Sequence, residues 1–227
     1  MALTPRPGNP TAAIRAVIAF LRDPVGMLRG VRRIARTLFL RTLNRSDYER
    51  WSNPDSLEAW WETRTQKIAD LIPKGTRVIE FGAGRRWLES YLDPSCIYIA
   101  SDLVDRGPGT IICDLNKRPL PDLKVLRPDV AVFIGVLEYL KGLPSIAPWL
   151  SRQVSTCVCS YEYASTEAGT VRRVFEILRR LYFGYQNIFT ELEFVELFSK
   201  CGFACTRMET WNEQRLFVFQ VIGNLPL

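Results

Sequence analysis

The side chains best placed to do chemistry in this sequence are carboxylates that follow short apolar runs. Glu80 precedes the glycine turn Gly82-Ala83-Gly84 in RVIEFGAGRRWLESYL, Asp102 ends YIASD, and Asp114 follows TIIC. Glu138 lies just beyond DVAVFIGV, and Glu162 stands between Tyr161 and Tyr163 after STCVCS. The sequence contains no histidine, which removes the commonest general base near neutral pH and every Ser-His-Asp or Cys-His arrangement. Proton transfer therefore falls to carboxylates, tyrosines, lysines or water. Glu138 and Glu162 are the candidate bases, with helix capping as the competing role for either.

The glycine turn narrows the ligand. An apolar strand running into Gly-x-Gly and then a helix lets a nucleotide-bearing molecule approach the backbone closely, although such turns also arise for steric reasons alone. A dinucleotide site would carry a third glycine at position 87, where this chain has Trp87. A carboxylate at Glu80 would repel a pyrophosphate but suits the ammonium of a methionine moiety; a solvated strand-end glutamate is the competing reading. S-adenosylmethionine carries a sulfonium and an ammonium and no phosphate, so the charge pattern favours it over NAD. Asp102, twenty residues past Gly82, is placed to accept hydrogen bonds from ribose hydroxyls. Asp114 is placed to accept from an adenine amino group, with Leu103 and Leu115 as apolar surface for the ring faces.

The elements that must position these groups follow from periodicity. Short apolar runs at 76–81, 96–101, 110–113, 129–134 and 155–161 read as strands, and 85–92, 143–150 and 191–200 read as helices, the last capped by Thr190. Residues 204–210 and 215–222 form a terminal hairpin. The pattern predicts an α/β fold: a seven-stranded, mainly parallel sheet with helices on both faces and a C-terminal antiparallel hairpin. Ahead of it, residues 1–10 are rich in proline and glycine and read as a disordered tail. Residues 11–64 read as a basic helical extension, with one apolar stripe at Ile14, Val17, Ile18 and Leu21 and a second at Met27, Val31, Ile34, Leu38 and Leu43. Ser56 precedes a further helical pattern, LEAWWETRTQKIADLI. The domain proper spans 65–227, with a helical insertion at 164–189 that is equally a lid or a packing helix.

At 47% hydrophobic and 24% charged residues, the composition is that of an ordinary globular chain with a core. No apolar run reaches the roughly 20 residues of a membrane span. The N-terminus lacks a short apolar segment with a cleavage site, so a cytoplasmic location is expected. The six cysteines fit neither a zinc site nor a disulfide framework, and no metal is expected. The net charge of +6 is concentrated at the N-terminus: residues 1–50 hold Arg6, Arg15, Arg22, Arg29, Arg32, Arg33, Arg36, Arg41, Arg45 and Arg50 against Asp23, Asp47 and Glu49. Helices with apolar stripes and arginine faces suit peripheral contact with a membrane surface, an acidic partner or RNA phosphates; solvated arginines on helices that cap the sheet are the plain alternative.

In order and spacing, RVIEFGAG, YIASDL, TIICDLN and DVAVFIGVLEYL resemble the class I S-adenosylmethionine-dependent methyltransferases, particularly the small-molecule branch. The resemblance extends through SYEY and FTELEFVELFSKCGF…RLFVFQV to cover about residues 65–223. It implies a Rossmann-like fold with S-adenosylmethionine as cofactor. Glu80, Gly82 and Gly84 would hold the methionine end, Asp102 the ribose, and Asp114 and Leu115 the adenine. The Gly135-Val136-Leu137-Glu138 segment would line the sulfonium side. The chain departs from the family where a third glycine is usual, having Arg86, and where many relatives have a histidine, having Tyr139. Arg86 threatens to narrow the pocket, and only LVDRGPG separates the second and third strands. No Asn/Asp-Pro-Pro-aromatic or Pro-Cys motif follows the fourth strand, which points away from base-nitrogen and cytosine chemistry. The implied activity is methyl transfer to a small polar acceptor, sugar-like or acidic. The alternatives are an RNA methyltransferase with a basic N-terminal arm, and a non-catalytic module that retains the fold.

Overall fold

The computed structural model describes residues 24–164 and 170–222. The predicted tail and the stripe from Ile14 to Leu21 lie outside the described residues. Seven strands, β1 (Arg77–Phe81), β2 (Ile97–Asp102), β3 (Ile111–Ile112), β4 (Val130–Phe133), β5 (Thr156–Tyr161), β6 (Phe203–Trp211) and β7 (Gln214–Val221), form one sheet in the order β3-β2-β1-β4-β5-β7-β6. The five strands from β3 to β5 run parallel, and β7 lies antiparallel between β5 and β6. The register sets Phe81 beside Ser101 on β2 and Phe133 on β4. The carboxyl ends of β1, β2 and β4 are therefore level, and the groups following them converge.

Alternation along the strands builds two cores. Val78, Val130, Val132 and Val158 pack on one face of the sheet with Ile68, Ile72 and Leu88. Their neighbours Ile79, Phe81, Ala131 and Phe133 pack on the other with Trp149, Phe194, Phe198 and Phe219. A pleated strand sends successive side chains to opposite faces, so nearly continuous apolar runs require both faces to be covered.

The helices are α1 (Pro24–Thr42), α2 (Tyr48–Ser52), α3 (Glu62–Ala69), α4 (Trp87–Tyr91), α5 (Leu143–Leu150), α6 (Thr170–Phe183) and α7 (Glu191–Ser199). Helix α7 opens with a capping box in which Thr190 and Glu193 satisfy each other's backbone donors. The single helix expected from LEAWWETRTQKIADLI is broken: Leu57 is extended, Ala59–Trp61 form a 3-10 turn, and the α-helix begins at Glu62. At the break, the Trp60 ring stacks on Trp211 of β6 at 5.2 Å and 9°. The connection from β2 to β3 is a turn rather than a helix, with Gly107 and Gly109 at positive φ. Helix α6 lies against α1, where the Thr37 hydroxyl donates to the Leu181 carbonyl at 2.8 Å and Arg33 covers the Tyr182 ring.

Candidate functional site

Beyond the ends of β1, β2 and β4 lies a cavity open to solvent. Its floor is the β1–α4 turn. Gly82 and Ala83 both donate to the Ser101 carbonyl, at 2.8 and 3.0 Å, which folds the turn tightly against β2. Gly82 has φ +74, and a Cβ there would stand 2.4 Å from Val136 Cγ2, so only glycine fits. The Gly84 amide donates to Asp102 Oδ2 at 2.9 Å.

Glu80, Gly82, Gly84, Asp102, Leu103, Leu115 and Gly135 all lie on the cavity wall. Glu80 is buried, and the Tyr98 hydroxyl donates to its Oε2 at 2.5 Å. Burial pushes the Glu80 carboxyl up to about 8, although the Tyr98 hydrogen bond pulls the other way. Asp102 is buried too. Besides the Gly84 amide it takes the Val104 amide, at 3.3 Å, and faces Arg106 Nε at 3.2 Å. The far end of Arg106 donates to the Trp51 carbonyl, tying α2 across the cavity to the β2 end.

The remaining predicted site residues lie behind the wall. Asp114 Oδ1 accepts from the Ser46 hydroxyl at 2.6 Å, and it is Ser46 that borders the cavity. Glu138 is buried beneath the surface, its Oε1 accepting from the Glu162 amide at 2.9 Å and its Oε2 unpartnered. Burial raises its carboxyl to about 7. Glu162 is engaged by Arg179 at 2.5 Å and by the Tyr185 hydroxyl at 2.7 Å. Neither candidate base is on the cavity wall. Arg86 also stays off it. Its backbone takes the left-handed conformation, φ +57, and its guanidinium turns away to grip Glu89 through two 3.0 Å hydrogen bonds. The pocket is not narrowed by it. Arg85 does border the cavity and donates to the Leu57 carbonyl at 3.2 Å.

Sequence reasoning missed the groups that close the opposite wall. Arg64 of α3 is buried, makes a single hydrogen bond, Nη1 to Gln214 Oε1 at 2.8 Å, and leaves Nε unpartnered. It lies 5.6 Å from the Trp61 ring and 5.4 Å from the Trp211 ring. Burial lowers its pKa, opposed by the field of Glu138. The signal was present, since Arg64 occupies an apolar-stripe position between Trp61 and Ile68. Arg50 sits 4.4 Å over the Trp51 ring, and Trp51 meets Tyr139 edge-on at 4.8 Å. Gln186 borders the cavity with Oε1 buried and unpartnered. Among the ionisable wall groups, burial raises Tyr139 to about 12 and Cys113 to about 11, so both are protonated at neutral pH.

The strand order and antiparallel β7 fit the class I methyltransferase fold, and solved structures resemble this chain in fold. PhzM, a pyocyanin biosynthetic protein, is 16% identical with a TM-score of 0.53 over 70% of this chain; the match spans only 54% of PhzM. The mitomycin 7-O-methyltransferase MmcR is 14% identical with a TM-score of 0.61, covering 95% of this chain and 74% of its own. CalO1, a methyltransferase in calicheamicin biosynthesis in its SAH-bound form, is 17% identical with a TM-score of 0.59, covering 96% and 74%. The sequence matches no family model and no curated protein. At these identities the likeness is one of fold.

Proposed function

We propose that the protein transfers a methyl group from S-adenosylmethionine to a small polar acceptor bearing an acidic oxygen. One observation carries this reading: a buried carboxyl, a glycine turn and a second carboxylate share one wall at the ends of adjacent strands. Glu80, largely protonated in the free protein, gives up its proton to pair with an ammonium, whereas a pyrophosphate offers it no cation. Asp102 suits ribose hydroxyls, Leu103 and Leu115 suit the adenine faces, and Asp114 reaches the cavity only through Ser46. Arg64, buried with a free Nε beside Gly135, matches the carboxylate of the methionine end.

When bound, the cofactor supplies an electrophilic methyl on a sulfonium. The chain then contributes proximity and alignment. Tyr139 and Cys113 hold their protons at neutral pH, Glu138 and Glu162 lie behind the wall, and the wall carboxyls Asp47, Asp102 and Glu80 are engaged by Arg36, Arg106 and Tyr98, so none of these groups is free to act as a base. An acceptor oxygen that ionises unaided needs none, and Arg50, beside Trp51 and Tyr139 and without a carboxylate partner among the described residues, is a wall cation that suits it.

One contact favours a second reading, a non-catalytic module retaining the fold: Arg106 already engages Asp102. Calorimetric titration with S-adenosylmethionine, S-adenosylhomocysteine and NAD separates the two. Micromolar binding of the first two, lost in Asp102→Ala, with no heat from NAD, supports the methyltransferase. Silence with all three leaves the module reading in possession of the site.

A further inference from the structure

We propose that the outward faces of α1 and α6 dock on an anionic lipid bilayer. The inner side of α1 is spoken for: Gly30 and Thr37 are buried against the protein, and Thr37 and Leu40 reach the cavity wall. Its outer side is apolar and uncovered among the described residues. Leu28 is 70% exposed and Phe39 62% exposed, with Val31 and Leu38 between them also exposed. The steps from 28 to 31, 31 to 35 and 35 to 38 and 39 put these residues on one stripe, with Ala35 in its centre. Phe175 and Leu178 of the neighbouring α6 add exposed apolar area. A soluble protein seldom leaves so much aliphatic and aromatic surface to water without a partner.

Charge identifies the partner. Arg29, Arg32, Arg33 and Arg36 recur at i, i+3, i+4 and i+7 and form a second stripe flanking the apolar one, and α1 contains no acidic residue. Arg36 is held by Asp47 and Glu49, and Arg33 lies over Tyr182. The Arg29 and Arg32 side chains are exposed and make no hydrogen bond or ion pair among the described residues. Apolar side chains flanked by arginines along one helix match the boundary between lipid tails and anionic headgroups. A second copy is a poorer occupant, because face-to-face pairing would set arginine stripes together with no α1 carboxylate to separate them. RNA would use the arginines and leave Leu28 and Phe39 in water. No helix among the described residues is long and apolar enough to cross a membrane, so the contact is with the surface. The cavity then lies behind one helix, about 10 Å thick, from the lipid.

The test is sedimentation of the full chain with phosphatidylcholine vesicles, with and without phosphatidylglycerol. The expected result is co-sedimentation with the anionic vesicles only, weakened by high salt. Leu28→Glu/Phe39→Glu, whose side chains touch no core, should reduce the partition coefficient at least about tenfold. Arg29→Glu/Arg32→Glu should abolish the preference for phosphatidylglycerol. Both variants should keep the wild-type melting temperature, which separates lost docking from lost folding. Protein remaining in the supernatant with anionic vesicles overturns the proposal, as does wild-type binding by Leu28→Glu/Phe39→Glu. A dimer in light scattering that this variant converts to monomer would assign the face to a second copy instead.

Discussion

The guanidinium of Arg106 stands 3.2 Å from Asp102 Oδ2, with both side chains less than a tenth exposed. It occupies the carboxylate that a ribose would need. Ligand binding must therefore displace an ion pair or accommodate it. Arg106→Ala removes the competitor and leaves a buried carboxylate with only the Gly84 and Val104 amides. We expect the free variant to melt lower, because an unpaired buried charge is destabilising. Its affinity for S-adenosylhomocysteine should rise about tenfold, equivalent to roughly 1.4 kcal/mol. Calorimetry and thermal shift together read both effects; a fall in affinity would instead assign Arg106 to the ligand itself.

Arg64 and Gly135 are similarly matched. A Cβ on Gly135 would stand 2.8 Å from Arg64 Nη1, at a φ of +67 that already disfavours a side chain. Arg64 has one hydrogen bond and no carboxylate partner, so its burial adds little to stability. Arg64→Met should fold with an unchanged or higher melting temperature while binding S-adenosylhomocysteine about tenfold more weakly. A destabilised variant with intact affinity would make Arg64 a structural residue.

Much of this was legible in the sequence. The strands declared themselves as apolar runs, residues 143–150 formed the expected helix, and Thr190 capped α7 with Glu193 three residues on. Glu80, Gly82, Gly84, Asp102 and Gly135 were brought to one wall because each lies at or just beyond the carboxyl end of a parallel strand of matched register. What escaped depended on contacts between distant segments. Trp60 stacks on Trp211, 151 residues away, where the predicted helix is interrupted. Ser46 intervenes between Asp114 and the cavity, and the insertion supplies Arg179 and Tyr185 to Glu162. No periodicity within a window reports such pairings.

Glu80 makes cofactor binding a proton-linked event. Burial holds its carboxyl near 8 in the free protein, so below that pH it is largely protonated. A ligand ammonium favours the carboxylate, so binding in this range should expel a proton. Affinity for S-adenosylhomocysteine should then rise with pH, by up to about tenfold per unit, and level off above about pH 8. Titrations in two buffers of different ionisation heat count the proton directly. Glu80→Gln should remove the dependence; a wild-type profile without slope would place the ammonium elsewhere.

Glu138 should leave its mark on stability rather than on binding. Its carboxyl is raised from 4.5 to about 7 by burial, and Oε2 has no partner. For a carboxyl raised on folding, the stabilising share is complete below the unfolded value and declines as pH climbs to the folded one. Wild-type protein therefore loses on the order of 3 kcal/mol between pH 4.5 and 7 through this group alone. Glu138→Gln keeps an acceptor for the Glu162 amide and cannot ionise. Its buried amide protons lack an acceptor, a penalty of about 1–3 kcal/mol that is the same at every pH. The variant should thus be the less stable protein in acid and gain on wild type as the pH rises. In melting temperature the gap should move by roughly 5–10 °C in the variant's favour. Melting curves across this range decide it, because the fixed amide penalty cancels from the trend. A gap that stays constant with pH would mean that Glu138 is solvated or paired when ionised.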